Sequence, residues 1–303
     1  MKQTPGSIHD PRSTIHASSS QQLTLRDGRR LGYAEFGAPD GRPVIYCHGI
    51  PASRLEIRLG HEMAARSGIR LIAPDRPGYG LSDFQPGRRI SDWPRDAAEL
   101  ADALALDRFG VLGISGGGPY AVACAAALPD RVTVAGIVCG LGRLDTGEDA
   151  AGMSPFGRFS FALARHAPVA SRIFNCALAP ALRSSPTLIL RLLASRLPPP
   201  DAKVLADPAV LSLFADAFRE GLRQGGRGVA HDLALYVHPW DFAVDAIRVP
   251  CLLWHGEQDT TVPVAMGKRL AAEIPGCRAR FYADEGHFSL PVRRLDEILS
   301  ALV

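Results

Sequence analysis

The stretch Gly113-Ile114-Ser115-Gly116-Gly117 sets one hydroxyl among glycines, after the apolar run Phe109-Gly110-Val111-Leu112 and before a small-residue run at 119–128. That order reads as strand, sharp turn and helix, the context of a nucleophile elbow. Glycines at 113, 116 and 117 remove Cβ atoms from the turn and tolerate unusual dihedrals. Ser115 then stands at the strand's C-terminal end, against the positive end of the helix. A serine hydroxyl is a weak nucleophile at neutral pH and needs a base within hydrogen-bond reach. In this motif the base comes last in the chain and an acid precedes it. His287, in Asp284-Glu285-Gly286-His287-Phe288, meets that order, and Gly286 lets the backbone turn so that the imidazole reaches inward. Among nine histidines, His255 and His48 are its rivals at strand ends, yet neither follows an acid in the required order. The acid that would fix the base's tautomer is Asp259, just past the apolar run 251–255. Glu257 and Asp145 are alternatives, and Asp259 also suits a plain turn before Thr260-Thr261.

Attack on a carbonyl leaves negative charge on its oxygen, for which two backbone donors should wait. One is the N–H of Gly116, directly after the nucleophile. The other belongs to the loop His48-Gly49-Ile50-Pro51, where the Ile50 N–H is the choice because Pro51 has no donor. His48 and Ser53 are close enough in sequence to line a substrate pocket, although the Ser53 hydroxyl also suits a helix cap. Trp240 is a third pocket candidate, with Tyr236 and Phe242 beside it; the alternative is that these aromatics pin surrounding helices to the core. Asp232 reads as bonding locally. Asp75-Arg76-Pro77-Gly78-Tyr79-Gly80 reads as a rigid structural loop.

The elements that must position these residues follow from periodicity and punctuation. Residues 22–25 and 30–36 predict two strands joined at Asp27-Gly28. Apolar runs at 43–47, 70–73, 109–114 and 132–139 predict strands covered on both faces, with helices at 54–67, 90–106 and 119–128 between them. Alternation returns with a strand at 251–255, a helix at 264–273, a strand at 278–282 and a last helix at 292–302. This is the pattern of an α/β fold with a mostly parallel sheet. Between 141 and 242 no strand is convincing. Helical segments at 158–167, 188–196 and 210–222, broken by Pro168, Pro180, Pro186 and Pro198-Pro199-Pro200, predict a helical cap over the site. The expected organisation is a polar N-terminal tail at 1–22, a core at 23–140 and 243–303, and the cap at 141–242.

Hydrophobic residues make up 47% of the 303 residues, enough for a sizeable core. The net charge of +3, read as spread along the chain, gives no nucleic-acid surface and no polybasic membrane patch. Six cysteines without a Cys-x-x-Cys pair read as buried free thiols. Residues 1–22 lack the apolar segment of a signal peptide, and no run has transmembrane length. A cytoplasmic protein without membrane insertion is expected, as monomer or homodimer.

Taken together, His48-Gly49-Ile50-Pro51, Asp75-Arg76-Pro77-Gly78-Tyr79-Gly80, Gly113-Ile114-Ser115-Gly116-Gly117, Trp254-His255-Gly256-x-x-Asp259 and Glu285-Gly286-His287 resemble the α/β-hydrolase superfamily, from about residue 23 onwards. The resemblance implies an eight-stranded, mostly parallel sheet flanked by helices, an inserted helical cap, a Ser–Asp–His triad, and neither metal nor organic cofactor. The oxyanion loop also looks like that of epoxide hydrolases, but those use a carboxylate at the elbow where Ser115 stands here. The expected activity is hydrolysis of small-to-medium hydrophobic esters through an acyl-enzyme, with a small-molecule ester as the partner. Carbon–carbon bond hydrolases and proline-iminopeptidase-like aminopeptidases share the triad, the latter needing cap acids such as Asp201, Asp207, Asp216 or Glu220 for a substrate amine. A non-catalytic ligand receptor on the same fold is the alternative of another class.

Overall fold

The computed structural model describes residues 20–144 and 152–303; residues 1–19 of the expected tail, and Asp145, lie outside the described residues. Eight strands form: β1 (Gln21–Thr24), β2 (Arg30–Gly37), β3 (Arg42–Cys47), β4 (Ile69–Pro74), β5 (Phe109–Ile114), β6 (Val132–Val138), β7 (Cys251–Gly256) and β8 (Arg278–Tyr282). They join one sheet in the order β1-β2-β4-β3-β5-β6-β7-β8. β2 runs antiparallel to both its neighbours, and the strands from β4 to β8 are parallel. The expected α/β architecture is therefore present.

Sequence and position agree strand by strand. β5 and β7 are buried at every residue, as continuous apolar runs require in the middle of a covered sheet. The edge strand β1 alternates half-buried and exposed. Successive side chains point to opposite faces, so Ile45, Val111 and Leu253 enter one core while Val44, Leu112 and Trp254 enter the other. The first core is covered by α2 (Trp93–Ala103), α3 (Gly118–Ala127) and α10 (Val264–Glu273). The second is covered by α1 (His61–Arg66) and α12 (Leu295–Ser300).

Two expected helices differ in form. The one at 54–67 begins as a 3₁₀ turn, Glu56–Gly60, before α1. The last one splits into α11 (Ser289–Arg293) and α12, with non-helical backbone at Arg294 (φ −110°, ψ 11°).

Between β6 and β7 the described residues form six helices and no strand: α4 (Pro155–His166), α5 (Pro168–Ser184), α6 (Pro186–Ala194), α7 (Pro199–Leu205), α8 (Pro208–Gly221) and α9 (Arg227–Tyr236). The expected breaks at Pro168, Pro186 and Pro198-Pro199-Pro200 separate helices, whereas the one at Pro180 does not. Pro155, Pro168, Pro186, Pro199 and Pro208 each occupy the first position of a helix, where a missing N–H costs nothing. Pro180 lies inside α5. The helices bury two small apolar clusters, one around Leu190, Leu205 and Phe214 that also takes in Phe288, another around Ala179, Leu222 and Leu233 that also takes in Tyr79.

Candidate active site

Ser115 sits at the end of β5 with φ +54°, in the left-handed region that side chains rarely occupy. The serine, not the flanking glycines, takes the unusual dihedral. The glycines serve close approach instead: a Cβ at Gly117 would collide with the Cys47 carbonyl, and one at Gly113 with the Gly117 carbonyl. The residues on either side of Ser115 are buried, while Ser115 itself is half-exposed.

The late histidine and the acid meet it. His287 Nε2 lies 2.9 Å from Ser115 Oγ, and His287 Nδ1 lies 2.7 Å from Asp259 Oδ2. Asp259 also forms the turn that its sequence suggested. Its Oδ1 accepts from the N–H groups of Thr261 (2.8 Å) and Val262 (2.7 Å), which leaves Oδ2 to the imidazole. Burial works against the imidazolium of His287, but the charge and hydrogen bond of Asp259, with Asp201 and Glu56 farther off, outweigh it and raise the pKa above the ordinary value.

The rivals are otherwise engaged. His255 is buried with Nε2 on the Val262 carbonyl (2.8 Å), and Glu257 pairs with Lys268 (3.7 Å). Cys139, His255 and Asp259 bring donor atoms within 4.8 Å of one another. These atoms do not fit a metal site: Asp259 is committed on both oxygens, and burial holds the Cys139 thiol far above its usual pKa.

The loop after β3 packs against the elbow. A Cβ on Gly116 would meet Ile50 Cγ1 at 2.7 Å, and one on Gly49 would meet Ser115 Cβ at 3.4 Å. Glu56 braces the loop: its Oε2 accepts from the Gly49 N–H (2.7 Å) and the Tyr46 hydroxyl (2.6 Å). His48 is a brace too, which corrects its place among the pocket candidates. It is fully buried, its Nε2 accepts from the Arg76 N–H (3.0 Å), and Nδ1–H therefore donates to the Gly49 carbonyl (2.8 Å). Desolvation holds its pKa well below the usual histidine value. Ser53 is likewise fully buried, with Oγ accepting from the Leu55 N–H (3.3 Å), so it caps the following turn. Trp240 stacks on Phe242 (centroids 5.4 Å apart) beside a cavity of about 330 Å³ that no triad residue lines. Its expected place in the pocket is not supported, because the indole is packed into the core.

Two acids of the inserted helices were misjudged from sequence. Asp232, on α9, does not bond locally. Its carboxylate reaches across to the core: to Arg76 (2.9 Å), Arg88, and the hydroxyls of Tyr79 (2.9 Å) and Tyr120 (2.6 Å). Two guanidiniums overcome its desolvation and keep its pKa well below the carboxylate range. Asp201, on α7, is fully buried and accepts from the N–H groups of His287 (2.9 Å), Phe288 (2.9 Å) and Ser289 (2.8 Å). A Cβ on Gly286 would lie 2.5 Å from its Oδ2, so that glycine makes room for a carboxylate; its φ is not left-handed. The other cap acids are also occupied. Asp207 caps α8, Asp216 pairs with Arg58 (3.1 Å), and Glu220 pairs with Arg54 (2.8 Å). The Tyr236 hydroxyl donates to the Gly116 carbonyl (2.5 Å), pinning α9 to the elbow. Only the close approach of the Asp201 carboxylate to Gly286 left a sequence trace, in the glycine before the histidine.

Residues 42–293 match the model of the alpha/beta hydrolase fold family. A non-heme chloroperoxidase from Streptomyces lividans is 36% identical over 149 residues, 47% of this chain and 54% of that one. The chain thus spans about half the length of the curated relative it matches. A hydrolase from Pseudomonas aeruginosa PA01 superposes with a TM-score of 0.69 at 22% identity, covering 95% of this chain and 98% of that one. The enol-lactonase from Burkholderia xenovorans LB400 gives 0.68 at 21% identity, covering 93% and 97%. No described helix is long and apolar enough to cross a membrane.

Proposed function

The chain belongs to the alpha/beta hydrolase fold family, and on that premise we propose that it is a serine hydrolase that cleaves carboxylic esters through an acyl-enzyme. The observation that carries this reading is the continuous hydrogen-bonded line Ser115 Oγ–His287–Asp259, at 2.9 and 2.7 Å. In the proposed cycle Ser115 attacks the ester carbonyl while His287 takes its proton at Nε2. Asp259 holds Nδ1–H and stabilises the imidazolium. The N–H groups of Ile50 and Gly116 receive the oxyanion. His287 then protonates the leaving alkoxide, and water, deprotonated by the same imidazole, releases the acid and restores Ser115.

Several observations favour an ester over the alternatives. The cap acids that an amine-anchoring aminopeptidase would use are already bound to arginines, to backbone N–H groups or to their own helix. A lactone is a cyclic ester, so a structural neighbour named as an enol-lactonase acts on the same bond type. The intact triad geometry speaks against a receptor without turnover. The expected substrates are small-to-medium hydrophobic esters, with no cofactor required.

A fluorophosphonate probe and a graded series of aryl esters test this, alongside peptide amides and a vinylogous diketone. The wild-type protein should label and hydrolyse the esters fastest. Ser115→Ala should lose labelling and about 10³-fold or more in kcat. Preference for the amides or the diketone would replace the ester reading, and an unlabelled protein would end the serine mechanism.

A further inference from the structure

The even spread of charge expected from the sequence fails in one place. Residues 151–200 contain six of the chain's 34 basic residues and none of its 31 acidic ones, so this segment carries +6 and the rest of the chain −3. The six are Arg158, Arg165, Arg172, Arg183, Arg191 and Arg196, all but Arg165 exposed. None of them forms an ion pair among the described residues. The same segment, α4 to α6, holds seven of the eight large apolar side chains that stand exposed among the described residues.

Their spacing is not scattered. On α5, Val169 (72% exposed) and Ile173 (66%) are one turn apart, followed along that face by exposed Ala177 and Ala181. On α6, Leu188 and Leu192 repeat the interval. On α4, Phe156 is exposed, and Phe159 lies edge-on to Phe174 of α5. Three successive helices, α5 in contact with both α4 and α6, therefore turn arginines and apolar side chains outward. Two acids that follow this segment, Asp201 and Asp232, are buried and turn into the core.

We propose that the outer surface of α4, α5 and α6 docks on an anionic lipid bilayer. The apolar side chains enter the boundary between headgroups and acyl chains, and the arginines meet lipid phosphates. An apolar stripe flanked by arginines that pair with no acid among the described residues is the composition of an interfacial helix, and each basic residue near an anionic surface strengthens binding about fivefold. A nucleic acid would use the charge and leave the exposed leucines and valine in water. A second copy of the chain on a two-fold axis would set six arginines against six. An anionic lipid surface satisfies both features.

Co-sedimentation of the full chain with vesicles tests the proposal, using phosphatidylcholine alone and phosphatidylcholine mixed with phosphatidylglycerol. Binding should require the anionic lipid and weaken as salt rises. The variant Arg158→Gln/Arg172→Gln should bind the mixed vesicles at least tenfold less. Val169→Ser/Ile173→Ser should lose binding while melting, and hydrolysing a water-soluble aryl ester, as the wild type does. No sedimentation with mixed vesicles, equal sedimentation with both kinds, or a dimer that these substitutions dissociate would each overturn it. The readout is binding, so it stands apart from whether Ser115 turns over esters.

Discussion

His287 combines two opposed demands. It is buried, which disfavours its charged form, yet it faces Asp259 directly, with the charges of Asp201 and Glu56 behind it, and its pKa rises above 6.5. Only the neutral imidazole can take the proton of Ser115, so protonation at low pH removes the base. The acid limb of kcat/KM for an aryl ester should therefore lie above pH 6.5, with activity growing as pH increases through it. A limb at or below that value would contradict the charge balance described here. At this scale the sequence was informative. The chain order of serine, acid and histidine selected three residues that the fold brings within hydrogen-bond distance, because each follows a strand on the same side of a parallel sheet. For Ser53 the capping alternative is the one the structure shows. The sequence was uninformative about His48, since nothing in a linear sequence tells a buried brace from a pocket wall.

At the scale of elements, α7 and the start of α11 form a unit that no motif announced. One carboxylate, that of Asp201, accepts from three consecutive N–H groups left open at the start of a short helix. The arrangement fixes the loop that carries His287. In Asp201→Asn the side chain amide faces a backbone donor, a loss of about 1–3 kcal/mol. The same change removes a negative charge that raises the His287 pKa. The variant should thus melt earlier in a thermal scan, and its acid limb should move to lower pH. A lowered melting temperature with an unmoved limb would reduce Asp201 to a structural cap. Central parallel strands were legible because they are unbroken apolar runs, and β5 falls on its expected bounds; the edge strand β8 does too, although it alternates arginine with other residues and buries none of its own fully. The inserted helices were only half legible. Proline was weighed as a breaker although it favours the first helical position, and α5, with Pro168 at its start and Pro180 inside it, was missed as a single helix.

Across the whole molecule, the six inserted helices are anchored through buried charge. Asp232 alone faces Arg76 and Arg88, with Tyr79 and Tyr120 completing its hydrogen bonds. Asp232→Asn would leave two guanidiniums buried without their counter-charge, a loss of roughly 3–5 kcal/mol out of a typical total of about 5–15. Urea denaturation should show a midpoint lowered accordingly; an unchanged midpoint would mean that the tyrosines and the His48 carbonyl suffice. Since the folded carboxyl titrates below its unfolded value of 3.8, the stability it contributes is present above that pH and is lost only as pH falls through the lower folded value. With Tyr236 on the Gly116 carbonyl and Gln224 on the carbonyls of Gly80 (2.9 Å) and Ser82 (2.6 Å), these contacts tie the segment between β6 and β7 to the loops of the sheet.

The Arg76 guanidinium does more than hold Asp232 of α9. It donates to the carbonyls of His48 and Gly49, and the Gly49 carbonyl belongs to the same peptide unit as the Ile50 N–H. The Ser115 carbonyl, sharing its peptide unit with the Gly116 N–H, already accepts from Leu141 N–H (2.9 Å) and Gly118 N–H. Both amides are thus polarised from behind before any substrate arrives. Electron density drawn toward the oxygen of each unit leaves its hydrogen more positive, so in the proposed mechanism a cation that never touches the reacting atoms sharpens the Ile50 donor, while two backbone N–H groups do the same for Gly116.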